Sequence, residues 1–232
     1  KPLTVNIYTD VDNSGGGAIV LNTSSSITTY GGNITMRGGT GDTTAGCAAA
    51  KTCIAGYASN SGGDWIGADC CGGWNVGYQD NVDGITIVST GTIDAGSGSI
   101  TMLGRTSDTT YYGVLMYNGT TLKAGGNINI TGIAAGNARG VHLDGTVWST
   151  SGDITINGTG GNGVYIANKV VAGSSTTTPL SGGAVTINGT STATGDYRGI
   201  FLETNSSVLA WGGISLNGNA APNGANSTTG GY

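Results

Sequence analysis

Charge is the scarcest feature of this chain. Only 9% of its 232 residues are Asp, Glu, Lys or Arg, and the net charge is −5. Eight lysines and arginines scattered singly cannot build the basic stripe that displaces counterions from a nucleic acid. The same shortage excludes a polybasic membrane patch. No apolar run approaches the roughly 20 residues that a membrane span requires, so no membrane insertion is expected. There is a single histidine, His142, and Glu203 is the only glutamate. One histidine would have to serve every site, so Ser-His-Asp and Cys-His catalysis find no support. Helix formers cluster nowhere, and helix content near zero is expected.

Glycine is what the chain has in excess. Its 46 residues follow no three-residue period, which excludes collagen. Val, Ile and Leu stand at fixed offsets beside the glycines, a regularity that a disordered chain would not show.

Two lines of sequence recur about every 27 residues. One reads Gly-Val-x-Leu, as in Gly113-Val114-Leu115-Met116, Gly140-Val141-His142-Leu143, Gly163-Val164-Tyr165-Ile166 and Gly199-Ile200-Phe201-Leu202. The other reads Gly-x-Ile-Thr-Ile, as in Gly32–Met36, Gly98–Met102, Gly126–Ile130, Gly152–Ile156, Gly183–Ile187 and Gly212–Leu216. Short alternating strands joined by glycine corners at this period mark a β-solenoid. Alternation puts Ile128 and Ile130 on one face, with Asn127, Asn129 and Thr131 opposite. Such a strand buries its aliphatic face only if the next coil stacks on it. Ile128, Ile154, Val185 and Ile214 are therefore expected in one interior file. The best-preserved coil predicts strands at Val114–Tyr117, Thr120–Lys123 and Asn127–Ile130. The glycine pairs before the third strand, and the Asn-Gly pairs at 118–119, 157–158, 188–189 and 217–218, read as corners.

The expected fold is all-β: a single right-handed parallel β-helix domain over 1–232, with three short strands per coil and about six or seven coils. The pattern breaks once. Residues 37–83 read as a loop or small subdomain inserted into the wall. They hold Cys47, Cys53, Cys70 and Cys71, and the aromatics Tyr57, Trp65, Trp74 and Tyr78. Four cysteines in a low-charge chain point to two disulfides and an oxidising compartment. Bridging Cys70 to its neighbour Cys71 is geometrically unfavourable. The pairings Cys47–Cys70 with Cys53–Cys71, or Cys47–Cys71 with Cys53–Cys70, both stay open. No Cys-x-x-Cys knuckle supports zinc. The four aromatics are either the insertion's own core or a ligand-binding face.

Other chemistry is sparse. Asp10-Val11-Asp12-Asn13-Ser14-Gly15 starts like a calcium loop but lacks the later Glu, so it reads as a turn, and no metal or cofactor is expected. An enzymatic reading would need carboxylates and a cation on one exposed wall; the nearest set is Asp144, Asp153 and Asp196 with Arg139 and Arg198. The two arginines occupy equivalent corners, where partnership with Asp144 and Asp196 would make surface ion pairs of little value. Tyr111, Tyr112 and Tyr117 are a further aromatic group. Asn-x-Ser/Thr acceptors for glycosylation stand at Asn22, Asn33, Asn118, Asn129, Asn157, Asn188, Asn205 and Asn226.

The lines Gly-Asp-Ile-Thr-Ile-Asn-Gly at 152–158 and Gly-Gly-Ala-Val-Thr-Ile-Asn-Gly at 182–189 resemble filamentous-haemagglutinin-type adhesins of bacterial two-partner secretion. The likeness covers most of residues 84–218. It implies secretion through an outer-membrane pore and a right-handed β-helix shaft at the cell surface. That family's secretion domain carries Asn-Pro-Asn-Gly. Here only Ala221-Pro222-Asn223-Gly224 occurs, near the opposite end, so that domain is expected to be absent.

Together these readings lead to an extracellular, non-catalytic β-solenoid. It would be the shaft of a surface adhesin or the subunit of a head-to-tail filament. Its partners would be copies of itself or flanking solenoid coils, with glycans or cell-surface proteins as ligands and no nucleic acid. The alternative is a polysaccharide-acting β-helix enzyme, a lyase, hydrolase or tailspike-like depolymerase. A wall with clustered carboxylates would favour the enzyme, and a smooth Thr/Asn wall the shaft.

Overall fold

The structure, a computed structural model, describes residues 1–9, 18–38, 58–60, 83–106 and 109–221. Among them there is no helix and there are 20 strands. After the opening strand β1 (Val5–Thr9), the chain makes six coils, each crossing three sheets in turn. Sheet I receives β1, β4 (Ile34–Gly38), β8 (Ile100–Thr106), β11 (Ile128–Ile133), β14 (Ile154–Gly160), β17 (Val185–Ser191) and β20 (Ile214–Asn219). Sheet II receives β2 (Ile19–Leu21), β6 (Ile85–Ile87), β9 (Val114–Met116), β12 (Val141–Leu143), β15 (Val164–Ile166) and β18 (Ile200–Leu202). Sheet III receives β3 (Ser26–Thr28), β7 (Thr92–Asp94), β10 (Thr121–Ala124), β13 (Thr146–Ser149), β16 (Lys169–Ala172) and β19 (Ser207–Ala210). Every pairing among the described residues is parallel, so they form a three-sheet parallel β-helix.

The interior file is unbroken. Val5, Ile34, Ile100, Ile128, Ile154, Val185 and Ile214 stand one above another. Two residues on, Ile7, Met36, Met102, Ile130, Ile156, Ile187 and Leu216 form a second file. Files from sheets II and III complete one dry column, in which Ile128, Val141, Leu122 and their equivalents in the middle coils are fully buried, while Val5 and Ile27 at one end and Val208 and Ile214 at the other are only partly covered. Each strand is too short and one-sided to persist alone; stacking supplies its burial.

The glycines play a different part from the one expected. Asn118-Gly119 does lie at a corner, with Gly119 at φ +83°. The other three Asn-Gly pairs lie inside β14, β17 and β20 and not at corners. Gly104, Gly132, Gly158 and Gly189 face inward and press on the backbone of Gly113, Gly140, Gly163 and Gly199, where sheet I meets sheet II. A Cβ on any of the first four would fall far inside van der Waals distance of the opposing carbonyl oxygen. Two columns of glycine thus form a seam, and close approach selects them.

The large break in the repeat leaves the register intact. Ile19 pairs with Ile85, Ser26 with Thr92 and Ile34 with Ile100 across it, each 66 positions apart. Within 37–83, Arg37 and Gly38 complete β4. The strand β5 (Ala58–Asn60) pairs with Gly104–Thr106 of β8, beyond the point where β4 stops pairing. Asp83 is buried where the coil resumes: it accepts hydrogen bonds from the Thr86 hydroxyl at 2.8 Å and the Tyr112 amide at 2.6 Å. Cys47, Cys53, Cys70, Cys71, Tyr57, Trp65, Trp74, Tyr78 and Asn226 lie outside the described residues, as does the Asp10–Gly15 segment.

Candidate functional site

The two most regular walls have different chemistry. The outer face of sheet I carries Asn6, Thr35, Thr101, Asn129, Thr155, Thr186 and Ser215 in one column. Beside it runs an amide ladder: Asn217 Nδ2 donates to Asn188 Oδ1, and Asn188 Nδ2 to Asn157 Oδ1, each at 2.8 Å. Neighbouring coils supply each other's hydrogen-bond partners, and over β14, β17 and β20 the wall is a Thr/Asn surface.

Sheet II presents a different face. Its outward positions are the x of Gly-Val-x-Leu, and they stack as Thr86, Leu115, His142, Tyr165 and Phe201. On one side stands a corner column, Asp83, Tyr112, Arg139, Asn162 and Arg198, whose alignment the backbone bonds Gly84 N to Tyr112 O, Gly113 N to Arg139 O, Gly140 N to Asn162 O and Gly163 N to Arg198 O record. On the other side Tyr117, Asp144, Ala167 and Glu203 align, each donating its amide to the coil before.

These side chains interlock. Tyr112 meets His142 edge-on at 5.0 Å between ring centres, His142 meets Tyr165 at 4.6 Å, and Tyr165 stacks on Phe201 at 5.1 Å. The Arg139 guanidinium lies 3.8 Å above the Tyr165 ring and that of Arg198 4.8 Å above Phe201. Offset and edge-on ring pairs with cations over their faces are each favourable by about 0.5–1.5 kcal/mol.

His142 is only 8% exposed. Arg139 Nη1 donates to its Nδ1 at 2.9 Å, and its Nε2 meets Asp144 Oδ1 at 2.7 Å. A guanidinium only donates, so Nδ1 must accept, and the proton sits on Nε2 towards Asp144. Tyr165 donates its hydroxyl to Glu203. Burial first, and then that hydrogen bond and the Glu203 charge, push the Tyr165 hydroxyl up to about 12.

No family model, curated protein or solved structure matches the chain.

The residues singled out from the sequence are only partly brought together. Arg139, Asp144 and Arg198 share the sheet II wall. Asp153 stands before β14, where its Oδ1 accepts the Ala184 amide at 2.8 Å, and Asp196 is exposed on the approach to β18. Neither Arg139 nor Arg198 forms an ion pair with Asp144 or Asp196. Lys123 pairs with Asp94 at 3.3 Å, Asp144 takes a hydrogen bond from His142, and the two arginines pack on rings instead. Of the glycosylation acceptors, Asn22, Asn118 and Asn205 are exposed at corners, Asn33 and Asn129 are exposed beside or on sheet I, and Asn157 and Asn188 are tied into the ladder. Sequence reasoning passed over Tyr165, Phe201 and Glu203. The signal was present: the variable position of Gly-Val-x-Leu reads Leu, His, Tyr, Phe in four copies.

Proposed function

We propose that this chain is an extracellular structural β-solenoid of the filamentous-haemagglutinin-like kind, acting as the shaft of a surface adhesin or the subunit of a surface filament. The observation that carries this reading is the unbroken interior file from Val5 to Ile214, which makes every coil depend on its neighbours. At about 4.8 Å per coil, six steps give a stiff column about 29 Å long in the described residues. The sheet ends favour further stacking. None of β1, β2, β3, β18, β19 and β20 carries a charged residue or a proline, the usual guards of an exposed edge. Apolar surface also gathers at the terminal coils: Leu3, Tyr8, Val20 and Tyr30 at one, Leu202, Trp211 and Ile214 at the other.

Electron microscopy of the purified protein tests the architecture. Long fibres are the result for a filament subunit, and single short particles would leave only the slice of a shaft. Adhesion is tested by binding to glycan- and matrix-protein-coated surfaces, with and without residues 39–82. Blank assays for both forms would refute it.

The sheet II wall favours a second reading, a polysaccharide-acting enzyme, since it gathers Arg139, His142, Asp144, Tyr165 and Glu203. Against that reading, both His142 nitrogens are engaged, and a hydroxyl pushed up to about 12 makes a poor base at neutral pH. Loss of viscosity when polysaccharides are incubated with the protein would establish turnover.

A further inference from the structure

We propose that the outer wall of sheet II is a binding strip for a neutral glycan chain lying along the solenoid axis. The inference rests on the adhesive half of the reading above and gives it a place other than the insertion. Three columns define the strip. Arg139 and Arg198 stand two coils apart, about 10 Å, with Asn162 between them. Asp144 and Glu203 repeat that spacing on the far side of Tyr165 and Phe201.

Each head group is held before any ligand arrives. Arg139 is fixed over Tyr165 and bonded to His142. Among the described residues the Arg198 guanidinium makes no hydrogen bond or ion pair, only its contact with Phe201, so its donors face solvent. Glu203 is exposed and engaged by the Tyr165 hydroxyl. Rigid, pre-oriented polar groups lose little entropy on binding.

The balance of charge selects the ligand class. The carboxylate column would repel a polyanion, and the guanidinium column a polycation. The ring faces of Tyr165 and Phe201 are already covered, so an apolar ligand finds only ring edges. A neutral polyol is different. Its hydroxyls donate to Asp144 and Glu203 and accept from Arg139, Asn162 and Arg198. A repeat along the axis lets successive sugars meet the same chemistry on successive coils.

Affinity electrophoresis of the full chain tests this, in gels containing dextran, mannan, laminarin or galactan, with polygalacturonate and chitosan as charged controls. At least one neutral polymer is expected to retard the protein. The double variant Arg198→Gln/Glu203→Gln should weaken that retardation about tenfold or more, since charge-assisted hydrogen bonds are lost. Thr155→Val, on the sheet I wall, should leave it unchanged. Should the double variant melt early, Arg198→Gln alone carries the test, because Arg198 is exposed and its guanidinium lies over the Phe201 ring without a hydrogen-bond or ion-pair partner among the described residues. Retardation by no neutral polymer, by the charged polymers only, or equally in the Arg198 variant overturns the proposal. Short particles in electron microscopy would remove the filament and leave this strip standing.

Discussion

The glycine seam makes the sharpest claim about stability, and Gly158→Ala tests it. A Cβ at Gly158 would sit 2.6 Å from the Gly163 carbonyl carbon and 2.6 Å from Val164 Cγ2, and closer still to the Gly163 oxygen. Ordinary carbon–oxygen contacts sit near about 3.3–3.6 Å, so the two backbones must part by more than about 1 Å. Neither is free to do so. β14 is paired on both edges, to β11 and to β17. Gly163 donates to Arg198 O at 3.0 Å and accepts from Val141 N at 3.0 Å. Overpacking of this kind costs about 1–3 kcal/mol. One or two weakened ladder bonds add about 0.5–1.5 kcal/mol each. Replacing a strand glycine recovers about 0.5–1 kcal/mol. The expected net loss is about 2–4 kcal/mol, or a fall in Tm of about 5–15 °C for a chain of this size. Thermal and urea melts followed by circular dichroism measure it. Gly119→Ala separates the causes, because Gly119 has φ +83° and its Cβ would meet nothing nearer than Thr90 N at 3.6 Å. Only conformational cost applies there, about 1 kcal/mol. If Gly158→Ala melts within about 2 °C of the parent, or no lower than Gly119→Ala, close approach is not what selects the seam glycines.

Three further outcomes follow from other elements. Thr90 holds φ +62° at the corner place that Gly119 fills in the next coil, a costly conformation for a β-branched residue. Thr90→Gly should raise stability by about 0.5–1 kcal/mol despite losing the 3.1 Å contact with Ser24 Oγ, and an unchanged urea midpoint would refute that. Asn188→Ala removes both rungs of the amide ladder and should cost about 1–2 kcal/mol in the same assay, while Asn129→Ala, exposed on the neighbouring column, should cost less than about 0.5 kcal/mol. Tyr165 should be among the last tyrosines to ionise in an ultraviolet pH titration, near pH 12. Its folded value lies above the unfolded one near 10, so its stabilising contribution is full below about pH 10 and is lost as pH rises towards about 12. Tyr165→Phe should remove that part of the alkaline loss, and identical alkaline melts for the two proteins would contradict the assignment.

How much of this was legible in the sequence depends on direction. Along the strand, period-two alternation is set by backbone geometry, so the inward set of Ile128, Ile130, Ile154 and Ile156 could be read directly. Across coils, aliphatic files need only the same residue class at each repeat, and the repeat supplies it. The outer wall obeys neither rule. Tyr165 finds its partners Arg139, His142, Phe201 and Glu203 only once register fixes which corner lies over which, and the spacing between stacked residues changes from 26 to 31 to 29 positions over successive coils. Strand boundaries show the same limit: the Asn-Gly pairs at 157–158, 188–189 and 217–218 look like hairpin corners locally, yet parallel stacking turns them into strand interior and seam. The local signal names the residue types, and the vertical neighbour decides their role. A solenoid whose inner files need only an aliphatic residue at each repeat can therefore change its outer columns with little effect on the core, and the series at one outward position of sheet II does so, from the covered Leu115 and His142 to the half-buried Tyr165 and Phe201.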